Sequence, residues 1–375
     1  MAGKTSPDDA RPQGCFIEAA NQALGQFGRV GAAGAQAVRE ALSDTCCLAA
    51  GTRILTPDGD VRIEHLRVGD EVLTLRGDGD ALGRVIWTGR RAIDLDRHAR
   101  PEKVNPVRIL AGALGPCLPE RDLLLSPDHC LFMDGHLIEA KTLINGATVV
   151  QDESFRQIAY HHIELERHDV VLAEGVPVET FLDCGNRRMF DGAPAHVLHA
   201  EFAPASRKNA CARLVRNGPV IEAARQRLLG HAKALGFTMS ETCDLAVKAG
   251  IEKLLPAAGS PPNRLRFELA EPYREVQLLS SAGVPAHTGA DPRDLRRLGV
   301  AVSALRLLTA GGQIDIALDD PGHRGFHDAE GTHRWTNGAA RIALPPCDGN
   351  AVLEVEVRGQ AARWVIDGGS AAISA

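Results

Sequence analysis

Aromatic side chains make up only 4% of the 375 residues, too few for stacked rings to be the main binding device. Basic charge is not in excess either. The formal net charge is −6 at pH 7, whereas a nucleic-acid binder presents a basic surface, so no nucleic-acid partner is expected. No apolar run approaches the roughly 20 residues of a membrane span. The opening, "MAGKTSPDDARPQG", has neither the basic start nor the apolar core of a secretory signal. The cytoplasm is therefore the default compartment, with export by a non-classical route left open. The nine cysteines contain no C-x-x-C pair, which excludes zinc-ribbon and thioredoxin-like spacing. No metal or other cofactor is expected, and the scattered thiols suit a reducing compartment.

One feature of the cysteines is unusual. Cys46 and Cys47 are adjacent, and disulfide geometry makes neighbours poor partners for each other. One small buried hydrophobe would serve for packing, so a pair at this point raises the question of chemistry.

The texture of the chain changes at these residues. Residues 1–46 divide into a polar start, expected to be disordered, and an Ala- and Gly-rich stretch, "CFIEAANQALGQFGRVGAAGAQAVREALS", with weak helical spacing. From 47 to about 187 come short β-branched runs between turn signals, such as "TRILT", "VRIEHL", "EVLTL", "RVIWTG" and "DVVLAEG". This pattern predicts a compact all-β domain. Helical periodicity returns in 188–263, in "PVIEAARQRLLGHAKALG" and "ETCDLAVKAGIEKLL", and ends in the linker "PAAGSPPN". Strand patterns resume over 264–375, where a β-sandwich is expected. The fold class is thus mainly β, with a helical N-terminal segment and a helical connector.

Three blocks of the first β domain stand in a telling order. The first is Cys47-Leu48-Ala49-Ala50-Gly51-Thr52, the second Ser126-Pro127-Asp128-His129, and the third contains Tyr160, His168 and the turn glycine Gly175. In this the sequence resembles the Hedgehog/intein (Hint) superfamily, and in particular the bacterial Hint-domain proteins, over residues 47 to about 187. The resemblance implies autocatalytic self-processing, a splicing-like chemistry whose substrate is the protein's own N-terminal segment. Cys47 is the implied nucleophile and Cys46–Cys47 the scissile bond. Attack on the Cys46 carbonyl would exchange an amide for a thioester. His129 is the implied proton donor to the leaving amine, Ser126 orients the amide, and His168 assists the carbonyl or the proton transfers.

The residue types suit these tasks, because a thiol is the most nucleophilic of the ordinary side chains near neutral pH. Ser126 and His129 would face opposite sides of a regular strand. Pro127 predicts a bend that turns both to one side. Asp128 is a candidate for tuning His129, with an exposed loop carboxylate as the plain alternative. His161 and His162 beside Glu164 are not expected to bind a metal, since neighbours in a strand point opposite ways. Cys130 and Cys184 are read as packing.

The chain departs from splicing members of the superfamily. They end in His-Asn, whereas this chain reads Val178-Glu179-Thr180-Phe181 and continues. Splicing is therefore not expected, and water or a small thiol or amine is the simplest acceptor for the thioester. The C-terminal stretch with Phe326, His327, Glu330, Arg334, Trp335 and Gly338 resembles a β-sandwich module attached to some bacterial glycosyltransferases and surface-associated proteins. Trp335, Arg334, Glu330 and His327 are its candidate ligand-binding residues. The expected alternative there is a core Trp335 with Arg334 paired to Glu330. The competing function, from a different class, is a non-catalytic binding or surface-associated protein. In that reading the Hint fold is inert and the C-terminal domain binds a glycan or a protein partner.

Overall fold

The computed structural model describes residues 46–75, 82–183, 186–191 and 210–366. The expectations for residues 1–45 and for Cys184 lie outside the described residues. The chain is mainly β, as its strand patterns predict.

Two seven-stranded sheets, counted among the described residues, carry the first β domain. In one, the short strand Leu48–Ala49 lies between Leu123–Leu125 and the long strand Gln157–Leu165, which pairs in turn with Leu82–Asp94. The other contains the hairpins Cys130–Met133 with His136–Glu139 and Val170–Ala173 with Val176–Glu179. Both hairpins close on two-residue loops in which each residue has positive φ, Asp134-Gly135 (50° and 75°) and Glu174-Gly175 (49° and 81°). That is the type I′ geometry favoured by strand twist, and Asp-Gly is among its preferred sequences. The sheets share one core: Leu48 and Ile163 from the first meet Ile54, Leu131 and Val178 from the second.

The helix expected in "PVIEAARQRLLGHAKALG" is present as Pro219–Ala234, with proline in its first turn and Gly236 at positive φ beyond its end. It buries Ile221, Ala224, Leu228 and Ala232, and the first three join the core of the two seven-stranded sheets. Strand Arg213–Val215 adds to the same unit in parallel with His136–Glu139. This stretch is docked on the first β domain.

"ETCDLAVKAGIEKLL" does not form the expected helix. Ala246–Ala249 and Glu252–Leu254 make a hairpin around Gly250, which has φ 57°. The reason is tertiary: Ala246–Ala249 pairs with Glu275–Leu279 and buries Val247 and Ala249 in the C-terminal core, which overrides the helix propensity of Ala, Lys and Leu. The C-terminal sheet of nine strands, counted among the described residues, thus recruits strands from before residue 264. Arg264–Leu269 alternates cleanly. Leu265, Phe267 and Leu269 enter one apolar core while Arg264, Arg266 and Glu268 face out. Among the described residues, no helix is long and apolar enough to cross a membrane.

Candidate active site

Cys47 enters the centre of the first sheet and is fully buried. Ser126 holds the residue through both of its backbone groups. The Cys47 amide donates to Ser126 Oγ at 2.8 Å, and the Ser126 amide donates to the Cys47 carbonyl at 2.8 Å. The amide nitrogen of the Cys46–Cys47 bond is therefore fixed in direction by a side-chain oxygen in a site closed to water.

The turn that follows brings in the histidine. The His129 amide donates to the Ser126 carbonyl at 3.1 Å, closing a four-residue turn with proline at its second position, where a φ near −65° is preset. This is the bend that Pro127 predicts. The His129 ring is completely buried, and neither of its nitrogens has a hydrogen-bond partner. Buried polar atoms are seldom left so. The ring lies against His162, with centroids 5.2 Å apart, and His162 lies against Phe181 at 5.3 Å. Phe181, Trp87 and Phe190 pack against one another in edge and tilted contacts. Arg187 stacks over Trp87 at 4.9 Å while pairing with Glu164 and Asp183.

Sequence reasoning passed over two members of this cluster. His162, set aside with the metal reading, points inward to His129. Its Nδ1 accepts the Ile163 amide at 3.1 Å, so its proton sits on the unpartnered Nε2. Glu179, at the end of Val176–Glu179, is buried; its Oε1 accepts the Cys130 amide at 2.9 Å and its Oε2 lies 3.6 Å from His168 Nε2. His168 Nδ1 accepts the Cys211 amide at 2.9 Å. Its Nε2 faces Glu179, and against its burial the Cys211 and Glu179 side chains raise His168 to about 9. Asp128 is placed otherwise: its carboxylate pairs with Lys141, while its backbone carbonyl accepts the Cys46 thiol at 3.4 Å. Cys130 packs beside it, its own thiol 3.7 Å from the same carbonyl.

Burial governs the electrostatics. It pushes the Cys47 thiol well above its ordinary range, with Arg91 pulling the other way, so the resting group is a thiol. Burial lowers His129 to about 4 against the attraction of Glu179, so at neutral pH the ring is uncharged, with one proton and one free lone pair. Glu179 is held down at about 2 by His168, His129 and the Cys130 amide, which together outweigh its burial. It is ionised at neutral pH.

A stability consequence follows from His129. Its folded value of about 4 lies below the ordinary histidine value of about 6.5, so between these pH values the unfolded chain binds the extra proton and the folded one does not. Stability is full above 6.5 and falls as pH drops toward 4, by on the order of 3 kcal/mol from this ring. Burial shifts His162 in the same direction. The melting temperature of the chain is expected to fall over this window and the fall to be shallower in His129→Gln; equal slopes in the two proteins would refute it.

The C-terminal candidates are arranged differently from the expectation. Trp335 is half-buried, not in the core, and its Nε1 donates to Glu330 Oε2 at 3.3 Å. Glu330 pairs with Arg296 at 2.7 Å. Arg334 instead donates to the carbonyls of His327 and Leu318, at 2.8 and 2.7 Å, and lies over Phe326. Adjacent strand residues face opposite ways, which is why Arg334 and Trp335 do not share a partner. His327 contacts the Arg297 carbonyl at 2.9 Å. Among the described residues, no group of three or more His, Cys, Asp or Glu side chains is arranged to hold a metal ion.

Residues 46–185 match the family model of the Hint domain, and the chain is a Hint-domain protein over that span. Solved structures similar to it include the bacterial intein-like domain from Clostridium thermocellum, at 18% identity, covering 37% of this chain and all of that one, with a TM-score of 0.27. The gp41-1 intein is 13% identical, with 36% and 98% of the two chains covered and a TM-score of 0.26. For the MchDnaB-1 intein the corresponding values are 18%, 36%, 99% and 0.25. No curated protein matches the chain.

Proposed function

We propose that this protein cleaves its own backbone at Cys46–Cys47 through an N-to-S acyl shift, without splicing. The observation that carries this reading is Ser126 Oγ on the Cys47 amide, with a buried, unpartnered His129 closing the turn that begins at Ser126. The neutral His129 ring takes the Cys47 thiol proton, and Sγ attacks the Cys46 carbonyl carbon. The tetrahedral adduct collapses with breakage of the C–N bond as the imidazolium returns the proton to the Cys47 nitrogen. The products of this step are a Cys46 thioester on Sγ and a free Cys47 amine, with no net change in protons.

A ring whose acid form has a pKa near 4 is a strong donor to a departing amine, which is the difficult half of the step. Holding thiol, carbonyl and carrier in one closed site supplies the rest. Water, or a small thiol or amine, then takes the acyl group and releases the segment that ends at Cys46. Val178-Glu179-Thr180-Phe181 places no Asn to cyclise, so no second junction is cut.

The test is thiol-induced cleavage of the full chain followed by intact mass, in wild type and Ser126→Ala. The variant removes the acceptor of a buried amide, which costs about 1–3 kcal/mol of stability. It is expected to cleave at least tenfold more slowly while remaining folded. Equal cleavage rates in wild type and variant would remove Ser126 from the mechanism. The absence of cleavage in wild type would favour the inert Hint module with a ligand-binding C-terminal domain.

A further inference from the structure

One carboxylate and three imidazoles are gathered behind the Ser126–His129 turn. Glu179 comes from the end of Val176–Glu179, His162 from Gln157–Leu165, His168 from the segment before Val170–Ala173, and His129 from its own turn. The remaining acid of that turn, Asp128, is already paired with Lys141. The Cys46 thiol lies on the same side and feels the Glu179 charge. Glu179 has contacts that orient it, the Cys130 amide at 2.9 Å and His168 at 3.6 Å. His168 is raised to about 9 and serves as the carboxylate's counter-ion, while burial keeps the other two rings, His129 and His162, neutral. A fixed buried negative charge stabilises positive charge that appears beside it, and at His129 the pull of Glu179 outweighs the opposing push of His168.

We propose that Glu179 is the positioning residue of the self-cleavage reaction: it stabilises the imidazolium formed on His129 during proton transfer, and His168 holds its carboxylate in place for that task. The inference rests on the acyl-shift reading above. The proton passes from the Cys47 thiol to His129 and on to the Cys47 nitrogen, and Glu179 gains and loses none. It acts through its charge and through the Cys130 amide, which anchors the residue next to His129. The sequence offers one pointer, a lone acid in the apolar run Val176-Pro177-Val178-Glu179.

The experiment compares full-length wild type with Glu179→Gln, which keeps an oxygen for the Cys130 amide and removes the charge. Thiol-induced cleavage is expected to slow by about tenfold or more, corresponding to a fall of about one unit in the His129 midpoint. The second readout is ring-nitrogen NMR of His129 across pH in a Cys47→Ala background, where the chain stays whole. Its midpoint is expected to fall on Glu179→Gln and to return toward wild type with Glu179→Asp. Equal cleavage rates, or an unmoved His129 midpoint, would overturn the role of Glu179. A wild-type chain that does not cleave overturns the acyl-shift reading itself, whereas a cleaving wild type with an equally fast variant overturns only Glu179. Should Glu179→Gln fail to fold, carboxylate infrared spectra of the unaltered chain decide: an ionised buried Glu179 at pH 6 supports the proposal, and a protonated one ends it.

Discussion

Cys47→Ala is expected to leave the backbone intact at every thiol concentration, with a single full-length mass after incubation that cuts the wild type. The loss is complete because no other side chain can stand in. Cys46 contributes the carbonyl under attack, and its own thiol points to the Asp128 carbonyl. The variant should remain folded. Cys47 packs in a small satellite cluster with Ala49, Ile93, Tyr160 and Phe181, and removing one sulfur there costs far less than truncating a large core side chain. A folded Cys47→Ala chain that still cleaves between residues 46 and 47 would remove the thioester from the mechanism.

His129→Gln is expected to slow cleavage by on the order of 10²–10⁴, the usual value of a positioned general acid–base group. Gln fills much of the same space and can hydrogen bond, but it cannot take and return a proton. The wild-type pH profile separates this from a packing effect. With the ring at about 4, His129 is a competent acceptor above that value and is already protonated below it. The wild-type rate should therefore fall as pH drops through about 4, and the residual rate of His129→Gln should lack that step. Cleavage of His129→Gln at the wild-type rate would assign the proton transfer elsewhere, with His162 as the neighbouring ring.

The parts of the site that lie close in the chain were legible in the sequence. Ser126-Pro127-Asp128-His129 is a turn because proline presets it, and the turn alone brings Ser126 and His129 together. The Asp134-Gly135 hairpin is legible for the same reason. His162 was not, because the choice between the two faces of Gln157–Leu165 depends on which side the other sheet covers. A pair of neighbouring histidines does not disclose which one goes in. Glu179 was missed because the Cys130 amide that anchors it comes from a distant part of the chain, and nothing in the local pattern shows that its hairpin turns it and His168 inward. The hairpin at 246–254 was misread since its residues favour helices locally, and only pairing with Glu275–Leu279 decides otherwise. At Trp335, sequence could not show that Arg296, far away in the chain, claims Glu330.

The central claim is that Cys47 becomes acylated by the residue before it. Its most direct test is the intact mass of the purified chain after incubation with dithiothreitol. The account predicts two products, a segment ending at Cys46 that carries dithiothreitol as a thioester or its hydrolysed acid, and a remainder that begins with a free Cys47 amine. One unchanged full-length mass, or a cut at any other bond, would contradict it.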